Sequence, residues 1–86
     1  MKKSEKLNLI RETGVVAIMR AKSSEQLIAA ADAIKAGGVS VIEVTMTTPG
    51  ALNVIEAAKK KYGDVVLFGA GSVLDPETAR AATRDI

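Results

Sequence analysis

The feature that most constrains this chain is a unit that repeats about every 25 residues: an apolar run, a short loop and an amphipathic segment. The apolar runs begin near residues 15, 39 and 65. Near-continuous apolar strands that alternate with helices are typical of parallel sheets joined by right-handed crossovers. We therefore expect an α/β chain whose strands lie parallel, in the order one, two, three.

Cap residues and periodicity set the bounds of each predicted element. Ser4 is a candidate N-cap, as is Ser23 or Ser24, and the two prolines are expected at the first helical position, where the missing N–H is harmless. The prediction treats residues 1–86 as part of a single domain, with helices at about 4–12, 24–36, 50–62 and 76–84 and strands at about 15–20, 39–45 and 65–69.

Two architectures use this unit, an open doubly wound sheet and a closed (β/α)8 barrel. The barrel needs eight units, roughly 200 residues or more, whereas 86 residues hold a leading helix and three units. A doubly wound sheet carries helices on both faces, whereas a barrel leaves its inner face free of them. Helices on a single face would therefore favour the barrel.

Composition excludes several classes of function. The net charge of +2 is too small to indicate a nucleic-acid partner, and the run Lys59–Lys61 is best explained as the solvated end of a helix. Without cysteine or histidine, the chain has neither thiolate nor imidazole chemistry. No segment approaches the ~20 apolar residues of a membrane span, and no signal peptide precedes the first helix, so a cytoplasmic chain is expected.

Glu43 is the most informative single residue, because it is a lone carboxylate in the apolar run Val39–Thr45. Side chains of a strand alternate between faces, so Val41, Glu43 and Thr45 share one side. A buried carboxylate without a partner is costly, so Glu43 lies either at an exposed edge or in a polar site.

The other unusual polar residues also lie at the carboxyl ends of the predicted strands. Arg20 ends the first strand, Glu43 and Thr45 end the second, and the predicted loop Gly69–Ser72 follows the third. Both candidate architectures build their sites at these ends. The shared placement favours a functional role for Glu43 over an accidental surface position.

Four segments in this order resemble the 2-keto-3-deoxy-6-phosphogluconate (KDPG) aldolase and 4-hydroxy-2-oxoglutarate aldolase family: Val15–Arg20, Gly37-Gly38, Ile42–Pro49 and Gly69–Leu74. The resemblance implies a (β/α)8 TIM-barrel type of fold, of which this chain holds the N-terminal part. It also implies a metal-free class I aldolase, usually a homotrimer. Such an enzyme cleaves the phosphorylated keto-deoxy acid to pyruvate and glyceraldehyde 3-phosphate through a lysine Schiff base.

The same resemblance assigns roles to individual residues. Glu43 matches the general acid/base, which moves protons to and from the carbinolamine and the carbon of pyruvate. Arg20 matches a position that lines the site and can bind a carboxylate through two hydrogen bonds. The alternative for Arg20 is a purely structural ion pair with Glu43.

The remaining substrate-binding positions are hydroxyl residues. Ser72 stands where the family commonly has threonine, so a hydrogen bond to the pyruvate carboxylate is retained. Thr47 stands where some relatives carry an arginine, and Arg20 is expected to supply the charge that is missing there. Thr45 is also predicted to bind the substrate. The turn Gly69–Gly71 is interpreted as close backbone packing rather than as a phosphate-binding nest.

The resemblance places the Schiff-base lysine on a later strand, so it is absent from this chain. Lys22 is the only lysine near a strand carboxyl end and is expected to be a solvated loop residue. We therefore expect a split or partial barrel, inactive alone, with an inner face of Val16, Ile18 and Val41 left open.

Three functions remain open from the sequence. The first is the N-terminal part of an aldolase that acts on a small keto acid, with no cofactor, nucleic acid or membrane partner. The second is a non-catalytic barrel piece that assembles with a complementary chain or with itself. The third is another phosphate-binding barrel enzyme with a similar first half.

Overall fold

The computed structural model describes residues 1–85. Within them a leading helix precedes three strands, each followed by a helix. The elements are α1 (Lys3–Thr13), β1 (Ala17–Met19), α2 (Ser24–Ala36), β2 (Val41–Thr45), α3 (Ala51–Tyr62), β3 (Leu67–Gly71) and α4 (Pro76–Asp85).

The three strands form one parallel sheet in the order β1-β2-β3, as the repeat predicts. In the register of the sheet, Ile18 lies beside Glu43, and Glu43 lies beside Gly69. The carboxyl ends of all three strands therefore reach the same edge of the sheet.

The hydrophobic core lies between one face of this sheet and the crossover helices. Ile42 and Val44 of β2 and Phe68 of β3 are buried against α2 and α3. These helices contribute the fully buried Leu27 and Ile55, and the ring of Tyr62 packs on Phe68 at 5.7 Å between centroids. Both crossovers thus lie on one face, which distinguishes a barrel segment from a doubly wound sheet.

A polar contact also joins α2 to α3. The Tyr62 hydroxyl donates a hydrogen bond to the Asp32 carboxylate and lies 3.0 Å from the carbonyl oxygen of Ile28. Lys61 approaches the other Asp32 oxygen at 3.2 Å. Hydrogen bonds from Tyr62 and Lys61 lower the pKa of Asp32, while burial and the bond to Asp32 raise the pKa of Tyr62 to about 12.

The expectation that every helix lies on one face is wrong for α1. This helix contacts β2 from the opposite side, where Leu7 and Ile10 face Val41 and Leu67 across a cavity. Val41 is consequently only 5% exposed, although the sequence predicted it to be open. Because α1 precedes β1 and is not a crossover, it covers the amino-terminal half of the inner face without changing the sheet topology.

The inner face is open at β1 and at the residue just before it. Ile18 is 68% exposed and Val16 is 44% exposed, as the sequence predicts for these two residues.

The helix starts differ from prediction at two places. Ser4 lies inside α1, whose N-cap position is Lys2, and Pro49 precedes the N-cap of α3 instead of occupying its first turn. That N-cap is Gly50, whose φ of 66° is a left-handed conformation that glycine adopts without strain. The other caps form through side chains: Ser23 accepts from the backbone of Gln26, and Asp75 accepts from Thr78.

The third strand is displaced from its predicted position. It covers Leu67–Gly71, whereas the sequence predicts about 65–69 and a loop from Gly69. β1 is also shorter than its predicted range of about 15–20. The two glycines of β3 are therefore extended sheet residues that pair with β2, because the backbone of β2 supplies the partners that a loop would lack.

Helices capable of spanning a membrane are not found among residues 1–85.

Candidate active site

Glu43 lies on the inner face of the sheet, away from the crossover helices. Its neighbours in β2, Ile42 and Val44, are fully buried on the helix side, so the alternation of the strand directs Glu43 inward. The residue is half-buried. Its position in the central strand rules out the interpretation of Glu43 as an edge residue.

The carboxylate of Glu43 leans toward the carboxyl end of β3. A methyl group placed on Gly71 would lie 2.5 Å from both Cδ and Oε2 of Glu43, and 2.9 Å from Oε1. The carboxylate therefore occupies the space directly above Gly71. Sequence reasoning selected the Gly69–Gly71 segment for close packing but did not identify which glycine allows it.

No ion pair forms between Glu43 and Arg20 within 4.0 Å in the described chain, where the ion pairs involve Asp64, Glu56 and Asp32. The structural alternative for Arg20 is thus not observed. Arg20 is exposed just beyond β1. Its guanidinium is left available for an anionic ligand.

Glu43 borders the cavity beneath α1, which has a volume of about 410 Å³. Most of its lining is apolar, from Leu7, Ile10, Val16 and Leu67, and Lys3 and Lys6 of α1 lie at its rim. A carboxylate at the edge of such a cavity is partly shielded from water. That environment suits a group that exchanges protons with a bound substrate.

Three threonine hydroxyls meet where β2 ends. The Oγ1 atom of Thr45 lies 2.9 Å from that of Thr47 and 3.4 Å from that of Thr48. Thr45 and Thr48 are buried, whereas Thr47 is exposed. The cluster fixes the turn between β2 and α3 and presents Thr47 at the carboxyl edge of the sheet.

Thr47 borders two cavities at this edge. One, of about 330 Å³, is also lined by Arg20 and Lys22, and the other, of about 550 Å³, is also lined by Ser72 and Asp75. The structure therefore brings Arg20 together with Thr47, and Thr47 together with Ser72. Glu43 lines neither of these two cavities.

Ser72 occupies an unusual backbone conformation. Its φ is 58°, which makes it the one left-handed residue other than glycine within the described residues. Such conformations are enriched at functional sites. Ser72 is exposed directly after β3, and the chain turns there toward Asp75.

Asp75, which was not among the site residues predicted from the sequence, accepts hydrogen bonds from Thr78 at the start of α4 and also lines the larger cavity. Hydrogen bonds from the backbone and side chain of Thr78 lower the pKa of Asp75, so the carboxylate is charged at neutral pH. An anion bound in this cavity would be repelled by the negative charge of Asp75. The Asp-Pro pair is typical of a helix start. The position of Asp75 beside Thr47 and Ser72, in contrast, depends on the parallel register of β2 and β3.

The remaining sequence interpretations concern Lys22 and the glycine turn. Lys22 is exposed, and its backbone N–H donates to Oε1 of Gln26 at 2.9 Å. Gly69 and Gly71 lie in a strand and not in the alternating turn conformation of a phosphate-binding nest. The packing interpretation of this segment is therefore preferred, with Gly71 as the residue in contact.

A family model described as KDPG and KHG aldolase matches residues 7–85. The chain belongs to the KDPG and KHG aldolase family. This assignment confirms the resemblance found in the four sequence segments, and the sheet topology agrees with the TIM-barrel type of fold.

Curated relatives carry the same family names. The chain is 38% identical over 69 residues to the KHG/KDPG aldolase of Escherichia coli, a match that covers 80% of this chain and 32% of the relative. It is 32% identical over 76 residues to the 2-dehydro-3-deoxy-phosphogluconate aldolase of Pseudomonas aeruginosa, covering 88% and 34% respectively. The chain thus spans about a third of the length of these KDPG and KHG aldolases.

A solved structure gives the same fold. The chain matches the KDPG aldolase from Legionella pneumophila with a TM-score of 0.75 and 31% identity, covering 81% of this chain and 34% of that chain. That crystal structure holds pyruvate captured at low pH as a covalent carbinolamine intermediate. The likeness supports the interpretation of β1, β2 and β3 as consecutive strands of a TIM-barrel type of fold.

Proposed function

We propose that this chain supplies the first three βα units and the general acid/base of a class I aldolase. The reaction is cleavage of 2-keto-3-deoxy-6-phosphogluconate to pyruvate and glyceraldehyde 3-phosphate. The observation that carries the proposal is Glu43: an inward carboxylate on the central described strand of a KDPG and KHG aldolase family member. A cytoplasmic location and a homotrimeric state belong to the same proposal, the second because the family resemblance implies it.

The chemistry requires an amine and a proton-transfer group. A lysine amine adds to the keto carbon, and the carbinolamine loses water to form an iminium ion, which withdraws electrons. Removal of the proton from the substrate's C4 hydroxyl then breaks the bond between C3 and C4 and releases glyceraldehyde 3-phosphate. The resulting enamine is protonated at C3, and water hydrolyses the iminium ion to release pyruvate and the free lysine. In this scheme Glu43 accepts the proton from the C4 hydroxyl and donates the proton to C3.

The amine is expected from outside the described strands. The sequences of β1, β2 and β3 contain no lysine, and the family resemblance assigns the Schiff-base lysine to a later strand. Arg20 and Thr47, which share one cavity, are the proposed contacts for the substrate carboxylate. Thr45, which bonds to Thr47, and Ser72, on the adjoining cavity, complete the proposed substrate-binding set.

Borohydride trapping tests this division of roles. The 86-residue chain alone is compared with a chimeric barrel in which the chain replaces the matching third of the Escherichia coli KHG/KDPG aldolase. With pyruvate and borohydride, the chain alone should keep its mass, and the chimeric barrel should gain a reduced pyruvyl adduct and cleave the substrate.

Two results would contradict the proposal. A folded chimeric barrel that forms no adduct and cleaves nothing would exclude the aldolase role of this segment. A stoichiometric adduct in the chain alone would overturn the assignment of the amine to a later strand. Peptide mapping would then distinguish Lys22 from Lys3 and Lys6, which lie near Glu43 across the cavity beneath α1.

A second candidate is a non-catalytic barrel piece that assembles with a complementary chain or with a second copy. The exposure of Ile18 and Val16 on the inner face favours it. Light scattering of the purified chain is the corresponding measurement. A monodisperse monomer that takes up no complementary barrel segment would exclude this candidate.

A further inference from the structure

We propose that Gly71 is the positioning residue for the Glu43 carboxylate. Because Gly71 has no side chain, the carboxylate of Glu43 can lie directly over it at the carboxyl end of the sheet. The inference rests on the proposed role of Glu43 in proton transfer and adds a second residue on which that role depends.

The parallel register explains why residues 43 and 71 meet. Gly69 is the direct neighbour of Glu43 across the β2–β3 ladder, and Gly71 lies two residues further along the same face. Side chains in strands lean along the strand, so Glu43 extends from its own position toward Gly71. This lean brings the carboxylate closer to the carboxyl edge, where Thr45 pairs with Gly71 and where Thr47 and Ser72 follow.

Space, and not backbone conformation, requires a glycine at position 71. Gly71 is buried and extended, and it is not among the glycines with positive φ. A Cβ at this position would lie within 3.0 Å of three atoms of the Glu43 carboxyl group. Gly69 has equally ordinary backbone angles, but a Cβ there meets no atom within 4 Å.

The atoms in conflict belong to the end of a flexible side chain. A larger residue at position 71 would therefore move the carboxylate by rotation of the Glu43 side chain, while the backbone of the sheet stays in place. The expected result is a folded protein whose acid/base group is misplaced. A displacement of about 1 Å in a catalytic group can lower the rate by about 100-fold.

The test compares Gly71→Ala with Gly69→Ala, which adds the same methyl group to the same face two residues away. In the chimeric barrel, Gly71→Ala should lower kcat by about 100-fold with little change in the KM for substrate, whereas Gly69→Ala should leave both near wild type. In the Glu43→Gln background, Gly71→Ala should change kcat by less than about threefold, because the acid/base group is already lost.

A second measurement examines the contact in the unaltered 86-residue chain. Nuclear Overhauser effects between the α protons of Gly71 and the γ protons of Glu43 should be present, and those between Gly69 and the same γ protons should be weaker. Absence of the Gly71 contact would overturn the proposal.

The kinetic outcomes separate this inference from the proposed function. If Glu43→Gln keeps wild-type turnover, the proposed function is wrong and Gly71 has no acid/base group to position. If Glu43→Gln loses turnover but Gly71→Ala does not, only the positioning role is overturned. Equal losses from Gly71→Ala in both backgrounds would also overturn it, because Gly71 would then act independently of Glu43.

Discussion

The two faces of the sheet are built on different principles. The outer face is complete: Ile42, Val44 and Phe68 are buried by α2 and α3, and the contact between Tyr62 and Asp32 joins the two helices. The inner face carries Glu43 beside the exposed Ile18, and α1 covers only its amino-terminal half. Stability is therefore concentrated on one side of β2, and the candidate chemistry lies on the other.

The largest expected effect concerns turnover. In the chimeric barrel, Glu43→Gln should lower the rate of substrate cleavage by about 10²–10⁴-fold, because the amide cannot transfer protons. Its urea unfolding midpoint should match that of the wild type, since no hydrogen bond or ion pair to this carboxylate is found in the described chain. Glu56→Gln, on the exposed face of α3, is the control and should leave turnover unchanged. A large fall in the unfolding midpoint of Glu43→Gln would remove the distinction between the two faces.

The next comparison replaces by alanine one isoleucine that packs against the outer face and one that lies on the inner face. Ile55→Ala removes a fully buried side chain from the outer core and should lower the free energy of unfolding by about 2–5 kcal/mol. Ile18→Ala, 68% exposed on the inner face, should change it by no more than about 0.5 kcal/mol. Urea denaturation of the 86-residue chain measures both. Similar losses from the two variants would show that the inner face is covered in solution.

A smaller effect is expected at the start of α2. Ser23→Ala should cost about 1 kcal/mol in unfolding free energy, because the Ser23 hydroxyl accepts a hydrogen bond from the backbone N–H of Gln26 at 3.2 Å. Ser24→Ala, one residue further along and inside the helix, is the matched control and should be nearly neutral. The reverse order of the two variants would contradict the cap assignment.

The contact between Tyr62 and Asp32 makes outer-face stability depend on pH at the alkaline end. The folded-state pKa of Tyr62, about 12, exceeds the ordinary value of 10.0. The stabilisation by the neutral phenol is therefore fully present below pH 10 and is lost as the pH rises toward 12. Wild type should therefore be more stable than Tyr62→Phe at neutral pH, and the difference should shrink between pH 10 and 12. A difference that stays constant across this range would contradict the prediction.

Periodicity was sufficient to predict the parallel order of the strands and the single-face placement of α2 and α3, because both follow from apolar alternation and chain connectivity. The same reasoning failed for α1. Leu7 and Ile10 of this helix line a cavity opposite Val41 and Leu67, and that placement follows from the folded sheet rather than from the local sequence.

The candidate site shows the same division between local and non-local information. Glu43 stood out because a carboxylate in an apolar strand is a local anomaly. The Thr45–Thr47 contact spans two residues and was within reach of the sequence. The contact between Glu43 and Gly71 was not within reach of the sequence, because a two-residue error in the placement of β3 changes which glycine lies beneath the carboxylate.

Proton exchange at the methyl group of pyruvate tests the central claim most directly, because it isolates the proton transfer from carbon–carbon cleavage. The chimeric barrel and its Glu43→Gln and Glu56→Gln variants are incubated with pyruvate in D2O, and loss of the methyl proton signal is followed by NMR. The account predicts that Glu43→Gln slows exchange by about 10²–10⁴-fold while still forming the borohydride-trapped adduct, and that Glu56→Gln exchanges at the wild-type rate. Exchange at the wild-type rate in Glu43→Gln would contradict the account.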